Sequence, residues 1–317
     1  SGSDVVVDGR LCGLWAQTSC APVGWTPDAP WDPISRIFKT ADGWIRLHTN
    51  AAQHKTAAAN ILGDVSSEMA VGQIISRYKS AELEDLFVKN GGAAAQMIRW
   101  NDWQQHPQGV ALSQAPLIEW SQKNATASDR LRHANYNTNR PLSGLKVLDL
   151  TRVLAGPVAT RMLAGYGAQV LRIDPVDWND LGILQDTTLG KRCAALNLKL
   201  HDGRQIFNAL LSEADVLVHG YRPGALAGLG YDQQALDKIN PSLIEVTPIA
   251  YGLQGPGAAR PGLDRLVQLT SRIAHISLTP DGPPASLPLQ AFDHVPGLTL
   301  PSSVLSHLPL TYPRPPS

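Results

Sequence analysis

The chain has 317 residues, of which 43% are hydrophobic and 17% are charged. This much apolar material can bury a sizeable core, which excludes a globally disordered protein. The 27 Lys and Arg residues are balanced by 27 Asp and Glu residues, and no basic run is present, so we expect no nucleic-acid partner.

The cysteine content and the lengths of the apolar runs indicate in which cellular compartment the protein is expected. The three cysteines are too few for a disulfide framework and include no Cys-x-x-Cys zinc motif. No apolar stretch is long enough to span a bilayer, and the first residues lack the positive region and apolar core of a signal peptide. We therefore expect a cytoplasmic protein with no metal and no membrane partner.

Residues 1–139 contain both strand-like and helix-like sequence patterns, which predicts a small α+β domain that ends in a linker. Asp42-Gly43 is a turn sequence placed before a strand. The polar stretch 122–139 lacks apolar periodicity and is interpreted as the linker. The helices expected in this part of the chain are 55–62 and 81–90, the second followed by a glycine stop.

From residue 140 to 317, short apolar strands alternate with helical segments. This alternation predicts a parallel sheet with helical crossovers, a doubly wound, Rossmann-like α/β domain that binds ligands at the carboxyl ends of its strands. The last eight or so residues of the proline-rich C-terminus are expected to be extended or disordered. The expected strands are 146–150, 169–173, 193–198, 216–219 and 243–247, and the expected helices are 156–166, 202–212 (capped by Asp202) and 232–239.

The turn after the first of these strands carries the most informative local signal. Small side chains at Ala155 and Gly156 would let a ligand approach the backbone, and Pro157 suits the start of a helix. Free amides at a helix N-terminus attract anions. The alternative is a tight strand-to-helix turn that binds nothing.

Basic residues recur near the ends of the predicted strands. Around one cleft they would suit a polyphosphate ligand. Taken singly, each is more often a solvated surface charge. Arg172 lies on the second strand, Lys191 and Arg192 precede the third, and Tyr221-Arg222 follow the fourth.

Five ordered segments resemble the family III CoA transferases, a group that includes formyl-CoA and carnitine CoA transferases and α-methylacyl-CoA racemase. The resemblance covers about residues 140–308, and the stretch 41–50 is similar to the smaller domain of the same family. The five segments are 141–157, 167–174, 190–198, 214–226 and 240–244.

The resemblance implies that the chain uses coenzyme A, bound as an acyl-CoA substrate, and exchanges it with a carboxylic acid. It also implies a homodimer, because those relatives form interlocked dimers. This chain departs from the relatives at Gly220, where close relatives carry Asn, and at Pro175-Val176, where formyl-CoA transferase has Arg. The residues assigned to CoA binding, by resemblance or as basic residues of the same cleft, are Arg152, Val153, Leu154, Ala155, Arg172, Lys191, Arg192, Tyr221 and Arg222.

Asp293 is the candidate catalytic residue. On position alone it could be a helix N-cap and nothing more. It aligns with the carboxylate of the family's Gly-Asp-x-x-x-Gly motif, with Phe292 in place of the first glycine, which implies a nucleophile that attacks the thioester and forms an aspartyl intermediate. We expect the helix N-terminus to keep Asp293 ionised near neutral pH, and we expect Pro301 to interrupt that helix.

Two alternatives to CoA transfer stay open. Racemase, isomerase or lyase chemistry on an acyl-CoA is the first, although the position of the racemase His holds Leu263, so a two-base proton exchange loses one partner. The second is a truncated, non-catalytic protein that binds CoA or a partner chain without exchanging CoA. Deuterium wash-in at the α-carbon would identify the first, and binding without turnover would identify the second.

Overall fold

A computed structural model of the chain describes residues 6–16, 19–27, 29, 31–121, 140–178, 182–271, 273–276 and 282–307. The chain divides into two compact units. The predicted linker and the predicted disordered tail lie outside the described residues, and the predicted domain division at residue 140 stays a prediction. Unit 1 comprises Ser1–Trp103 with Leu263–His294, and unit 2 comprises Gln104–Gly262 with Val295–Ser317.

Helices and strands are mixed along the whole chain. No helix among the described residues is both long and apolar enough to cross a bilayer. The strands are β1 (Ile37–Lys39), β2 (Trp44–Leu47), β3 (Ala94–Gln96), β4 (Lys146–Leu150), β5 (Gln169–Asp174), β6 (Arg192–Ala195), β7 (Val216–His219) and β8 (Ile244–Val246). The helices are α1 (Gly9–Trp15), α2 (Ala52–Leu62), α3 (Glu68–Ile75), α4 (Ser80–Lys89), α5 (Trp100–Gln105), α6 (Pro107–Gln114), α7 (Ala155–Gly165), α8 (Leu184–Thr187), α9 (His201–Glu213), α10 (Gln233–Ile239), α11 (Asp264–Thr270), α12 (Ile273–Ile276) and α13 (Ala291–His307), with a 3₁₀ helix at Ala227–Leu229.

Unit 1 is built on a three-stranded antiparallel sheet in the order β1-β2-β3. The predicted Asp42-Gly43 turn is confirmed, because the Thr40 amide donates to the Gly43 carbonyl at 3.0 Å and closes the hairpin between β1 and β2. The predicted glycine stop after α4 is also found, with Gly91 in the left-handed region at φ 73°. Helices α2, α3 and α4 cover the sheet, and their apolar faces form one buried cluster with it.

Unit 2 contains a five-stranded, fully parallel sheet in the order β6-β5-β4-β7-β8. This confirms the predicted doubly wound α/β architecture, and it places the reversal of strand order between β4 and β7. Apolar residues lie buried on both faces of the sheet in two separate clusters. The crevice next to that reversal is where open α/β sheets bind ligands.

Several boundaries in unit 2 differ from the prediction, among them the end of β6 and the start of α9. Strand β6 ends at Ala195 instead of residue 198, because its partner β5 ends at Asp174 and the next residue, Pro175, has no amide hydrogen to continue the ladder. Asp202 was expected to cap a helix, but α9 already begins at His201, and Leu200 occupies the cap position. The predicted start of α10 is correct, since the Asp232 side chain accepts the Ala235 amide at 2.8 Å.

The prediction that proline interrupts the C-terminal helix is wrong. Helix α13 runs through Pro296 and Pro301 to His307. Interior prolines each cost about 3 kcal/mol of helix stability, but in unit 2 the last turns of α13 are held by packing. Val304 is only 1% exposed and belongs to the same apolar cluster as residues of β4 and β5. Tertiary burial therefore overrides local propensity here.

Gly297 on α13 packs directly against α7. A Cβ atom at this position would lie 2.8 Å from Val158 Cβ and 2.9 Å from the Ala155 carbonyl oxygen, neither of which is a flexible side-chain end. The glycine of the Asp-x-x-x-Gly motif is thus required by helix packing inside unit 2.

We predict that Gly297→Ala destabilises the protein by about 1–3 kcal/mol, because the added methyl group overpacks this contact. The matched control is Gly165→Ala at the end of α7, where a Cβ meets nothing within 4 Å, so helix propensity leaves stability unchanged or slightly raised. Urea unfolding followed by circular dichroism measures both. Equal unfolding midpoints for the two variants would contradict this role of Gly297.

Candidate functional site

The sheet of unit 2 brings Arg152 and Tyr221 together at the reversal of strand order. Arg152 follows β4 and Tyr221 follows β7. Arg152 Nη2 donates to the Tyr221 hydroxyl at 2.9 Å, and the guanidinium carbon lies 4.9 Å from the centre of the Trp178 ring and 5.1 Å from that of Tyr221. Arg152 Nε is buried and meets no hydrogen-bond acceptor among the described residues. The rings of Trp178 and Tyr221 therefore hold the Arg152 guanidinium by cation–π contacts, and its Nε–H donor has no acceptor among the described residues.

The turn between β4 and α7 is strained at Val153. Its φ of 64° lies in the left-handed region, which β-branched residues avoid, and such strain concentrates at functional sites. Gly156 was expected to open the backbone to a ligand. Instead it packs internally, since a Cβ there would lie 2.3 Å from Thr151 Cβ. Leu154 is buried, and Ala155 is the first residue of α7.

A buried ion pair lies beneath this turn. Lys191 Nζ donates to Asp149 Oδ2 at 2.9 Å, to the Pro157 carbonyl at 2.9 Å and to Thr160 Oγ1 at 2.7 Å. Both charged side chains are 0% exposed. Burial lowers the pKa of Lys191, and the Asp149 carboxylate opposes that shift. All three ammonium donors are thus used inside the protein, where they tie the end of β4 to the first turns of α7.

The other predicted basic residues divide into one buried cation and two exposed ones. Arg172 is fully buried and pairs with Asp174, with Nε to Oδ2 at 2.7 Å and Nη2 to Oδ1 at 3.1 Å. Arg192, at the start of β6, and Arg222, after β7, are exposed. Arg172 and Lys191 therefore act inside the protein, while Arg192 and Arg222 remain accessible to a ligand.

A cavity of about 410 Å³ opens elsewhere in unit 2, and the sequence did not predict it. Two exposed cations, Lys199 and Arg204, line it together with Leu198 and the segment Ala227–Gly230. The described residues contain no group of three or more His, Cys, Asp or Glu arranged to hold a metal ion.

In unit 1, Asp293 is the third residue of α13 and lies inside its first turn, so it is not the N-cap. Its side chain is half-buried, and its Oδ2 atom accepts a hydrogen bond from Gln290 Nε2 at 3.0 Å. Burial raises the pKa of Asp293 to about 7, with the neighbouring Asp264 carboxylate adding to the rise and Gln290 opposing it. The expectation that the helix N-terminus keeps Asp293 ionised is therefore wrong.

Asp264 explains why the helix N-terminus does not help Asp293. Its Oδ2 atom accepts the amides of Phe292 at 2.6 Å and of Asp293 at 3.1 Å. The Asp264 carboxylate thus already occupies the free amides of the first turn of α13, and its negative charge faces Asp293. It is only 3% exposed, and burial raises its own pKa.

Gln268 completes this arrangement within unit 1. Its Nε2 donates to Asp264 Oδ1, and its Oε1 accepts the Leu287 amide at 2.7 Å. The two side chains join α11 to the segment that leads into α13. Sequence reasoning assigned no role to Asp264, Gln268 or Trp178, because their partners are distant in the chain.

Comparison with known proteins gives one family and several partial relatives. The sequence model of CoA-transferase family III matches residues 142–310 of this chain. An acyl-CoA transferase of Gibberella moniliformis is 30% identical over 76% of this chain and 45% of its own length. An acetyl-CoA:oxalate CoA-transferase of Acetobacter aceti is 39% identical over 45% of this chain and 40% of its own length. The chain therefore spans less than half the length of these relatives.

One solved structure shows the same partial coverage. The orthorhombic crystal structure of Rv3272 from M. tuberculosis is 31% identical and covers 54% of this chain and 50% of its own, with a TM-score of 0.48.

We predict that Lys191→Met destabilises the protein by about 3–5 kcal/mol, because it leaves the Asp149 carboxylate buried without its counter-charge. The matched control is Lys146→Met, which removes the exposed pair with Glu213 at 2.9 Å and should cost less than about 1 kcal/mol. Chemical denaturation of both variants makes the comparison. A loss for Lys191→Met no larger than the control would show that the buried pair does not hold the turn.

Proposed function

The chain belongs to CoA-transferase family III, and we propose that it moves CoA between an acyl-CoA thioester and a carboxylic acid, with Asp293 as the nucleophile. The observation that carries this proposal is the environment of Asp293. A half-buried carboxylate with a pKa near 7 is more basic than an ordinary aspartate, and basicity strengthens a nucleophile that must displace a thiolate.

The proposed reaction has four acyl transfers. The Asp293 carboxylate attacks the thioester carbonyl, the C–S bond breaks, and a mixed anhydride and CoA thiolate form. The thiolate then attacks the aspartyl carbonyl, which gives an aspartyl-CoA thioester and releases the first acid. The carboxylate of the second acid attacks that thioester and forms a new anhydride. The returning thiolate takes the new acyl group and restores the Asp293 carboxylate, so no proton or electron is gained or lost.

We propose different roles for the residues assigned to CoA. CoA would contact the strained turn at Val153 and three arginines: Arg152, which lies between two aromatic rings, and the exposed Arg192 and Arg222. Planar guanidinium groups suit phosphate oxygens. Arg172 and Lys191 would position these groups from inside the sheet, because their donors are already bonded. The contact set is Arg152, Val153, Leu154, Ala155, Arg192, Tyr221 and Arg222.

A homodimer and a cytoplasmic location belong to the same proposal. They follow from the family resemblance and from the low cysteine content of the sequence. The proposed partners are small molecules, an acyl-CoA and a carboxylic acid.

We predict that Asp293→Asn abolishes CoA exchange and the covalent intermediate, because an amide cannot attack the thioester. Hydroxylamine or borohydride added during turnover traps the anhydride or thioester, and mass spectrometry of peptides locates the adduct. The control is Asp64→Asn at an exposed position of unit 1, which should leave both the rate and the adduct unchanged. An adduct of equal yield in Asp293→Asn would remove Asp293 from the mechanism.

The pH dependence of kcat/KM gives a second prediction. Because the reaction requires ionised Asp293 with a pKa of about 7, kcat/KM should rise with pH up to about 7 and level off above it. The same shift means that ionising Asp293 lowers folding stability as pH rises through about 7.

Two neighbouring substitutions should move this rise in opposite directions. Asp264→Asn removes a nearby negative charge and should move it to lower pH, while Gln290→Leu removes a hydrogen bond to the carboxylate and should move it to higher pH. A profile that stays in place in both variants would show that another group controls the reaction.

A further inference from the structure

Gln268 is a fully buried side chain of α11 that lies one helical turn after Asp264. Its Nε2 atom donates to Asp264 Oδ1, and its Oε1 atom accepts the Leu287 amide at 2.7 Å. Because an ionised carboxylate only accepts and a backbone N–H only donates, these two partners allow the Gln268 amide one orientation. Gln268 therefore bridges α11 and the segment 287–290, which leads into α13.

The bridge affects the charge of Asp264. This residue is only 3% exposed, and burial raises the pKa of its carboxyl group. Hydrogen bonds from Gln268 and from the amides of Phe292 and Asp293 oppose that rise in pKa, and the bond from Gln268 has the largest effect of the three. Gln268 is thus the hydrogen-bond partner that most favours the ionised form of Asp264.

The charge of Asp264 acts directly on Asp293. Arg265 on α11 and Arg46 on β2 attract the Asp264 carboxylate, whereas the Asp264 carboxylate raises the pKa of Asp293 after burial has done so. The two acidic residues are also in contact, since Asp264 Oδ2 accepts the Asp293 amide at 3.1 Å. A change in the protonation of Asp264 must therefore change how readily Asp293 ionises.

Gln268 reaches Asp293 by a second route, along the backbone. It holds the Leu287 amide, and three residues later Gln290 donates from its Nε2 atom to Asp293 Oδ2 at 3.0 Å. The Gln290 carbonyl also accepts the Asp293 amide at 3.2 Å. The segment that Gln268 ties to α11 thus carries a group that bonds the Asp293 carboxylate.

We propose that Gln268 is a positioning residue, which holds the Asp264 carboxylate and the segment 287–290 in the arrangement in which Asp293 reacts. This inference rests on the proposed function and adds a residue to it. Gln268 acts through Asp264 and Leu287 and does not itself take part in the acyl transfers. A purely structural glutamine would contribute to stability without changing the titration of Asp293.

Carbon-13 NMR of the side-chain carboxyl groups tests the proposal in the free protein, without turnover. Gln268→Met keeps the length of the side chain but removes the amide donor and acceptor. Asp264 should then stay protonated to higher pH, its charge should oppose the ionisation of Asp293 less, and the Asp293 midpoint near pH 7 should move to lower pH. An unchanged midpoint would overturn the proposal.

A double variant tests whether the effect passes through Asp264. In an Asp264→Asn background, Gln268→Met should shift the Asp293 midpoint no further, because the charge through which it acts has been removed. A second shift as large as that of the single variant would show that Gln268 acts on Asp293 by another path, and the proposed coupling would fail.

The matched control is Gln108→Met in unit 2, which also removes a buried amide side chain. Gln108 donates to two backbone carbonyls and accepts one backbone amide. Thermal melts should show a loss of stability in both glutamine variants, while the Asp293 midpoint should move only in Gln268→Met. Equal shifts in the two variants would assign the effect to a general loss of packing and would refute the role of Gln268.

Kinetics separate this inference from the proposed function. Gln268→Met should lower kcat for CoA exchange about tenfold with little change in KM, because a misplaced carboxylate slows the chemical step more than it weakens substrate binding. If the unmodified chain exchanges no CoA while the NMR midpoint still shifts, the proposed function fails and the coupling stands. If CoA exchange proceeds through Asp293 and Gln268→Met changes neither kcat nor the midpoint, the inference alone fails.

Discussion

The candidate chemistry in unit 1 depends on one buried carboxylate, Asp264, that caps the helix carrying another, Asp293. By accepting the amides of Phe292 and Asp293, Asp264 fixes the first turn of α13 and cancels the favourable field that a helix N-terminus offers an anion. Its own charge then adds to burial in raising the pKa of its neighbour. This contact therefore holds the helical turn that carries Asp293 and contributes, after burial, to the raised pKa of its carboxyl group. Arg265, the next residue on α11, opposes the rise in the pKa of Asp264 itself.

In unit 2, a buried ion pair fixes the start of a helix, as the buried Asp264 carboxylate does in unit 1. The Lys191–Asp149 pair anchors the start of α7 to the end of β4, and the turn above it accommodates the strained Val153 and presents Arg152 to Tyr221 and Trp178. A buried pair that is fully hydrogen-bonded adds little net stability but is costly to break. The cations that the sequence suggested for one ligand therefore separate into two with buried partners, Lys191 and Arg172, and two exposed ones, Arg192 and Arg222.

The sequence predicted the parallel sheet well, because short apolar strands alternate with helices and each strand is buried on both faces. Local turn signals were also found, such as the Asp42-Gly43 hairpin and the glycine stop after α4. The errors arose where distant residues decide the outcome. The ionisation of Asp293 depends on a residue twenty-nine positions earlier, and the proline-containing α13 is held by packing of Val304. Arg46 on β2 and Arg265 on α11 lie against one Trp31 ring although more than two hundred residues separate them, which no local pattern could reveal.

The covalent route through Asp293 can be tested by following oxygen atoms. In the proposed sequence, the second acid gives one carboxylate oxygen to the anhydride, and that oxygen stays on the aspartate when the new acyl-CoA leaves. With an acceptor acid labelled with oxygen-18, the account predicts that the peptide containing Asp293 gains the label during turnover. CoA transfer that proceeds while this peptide stays unlabelled would contradict it.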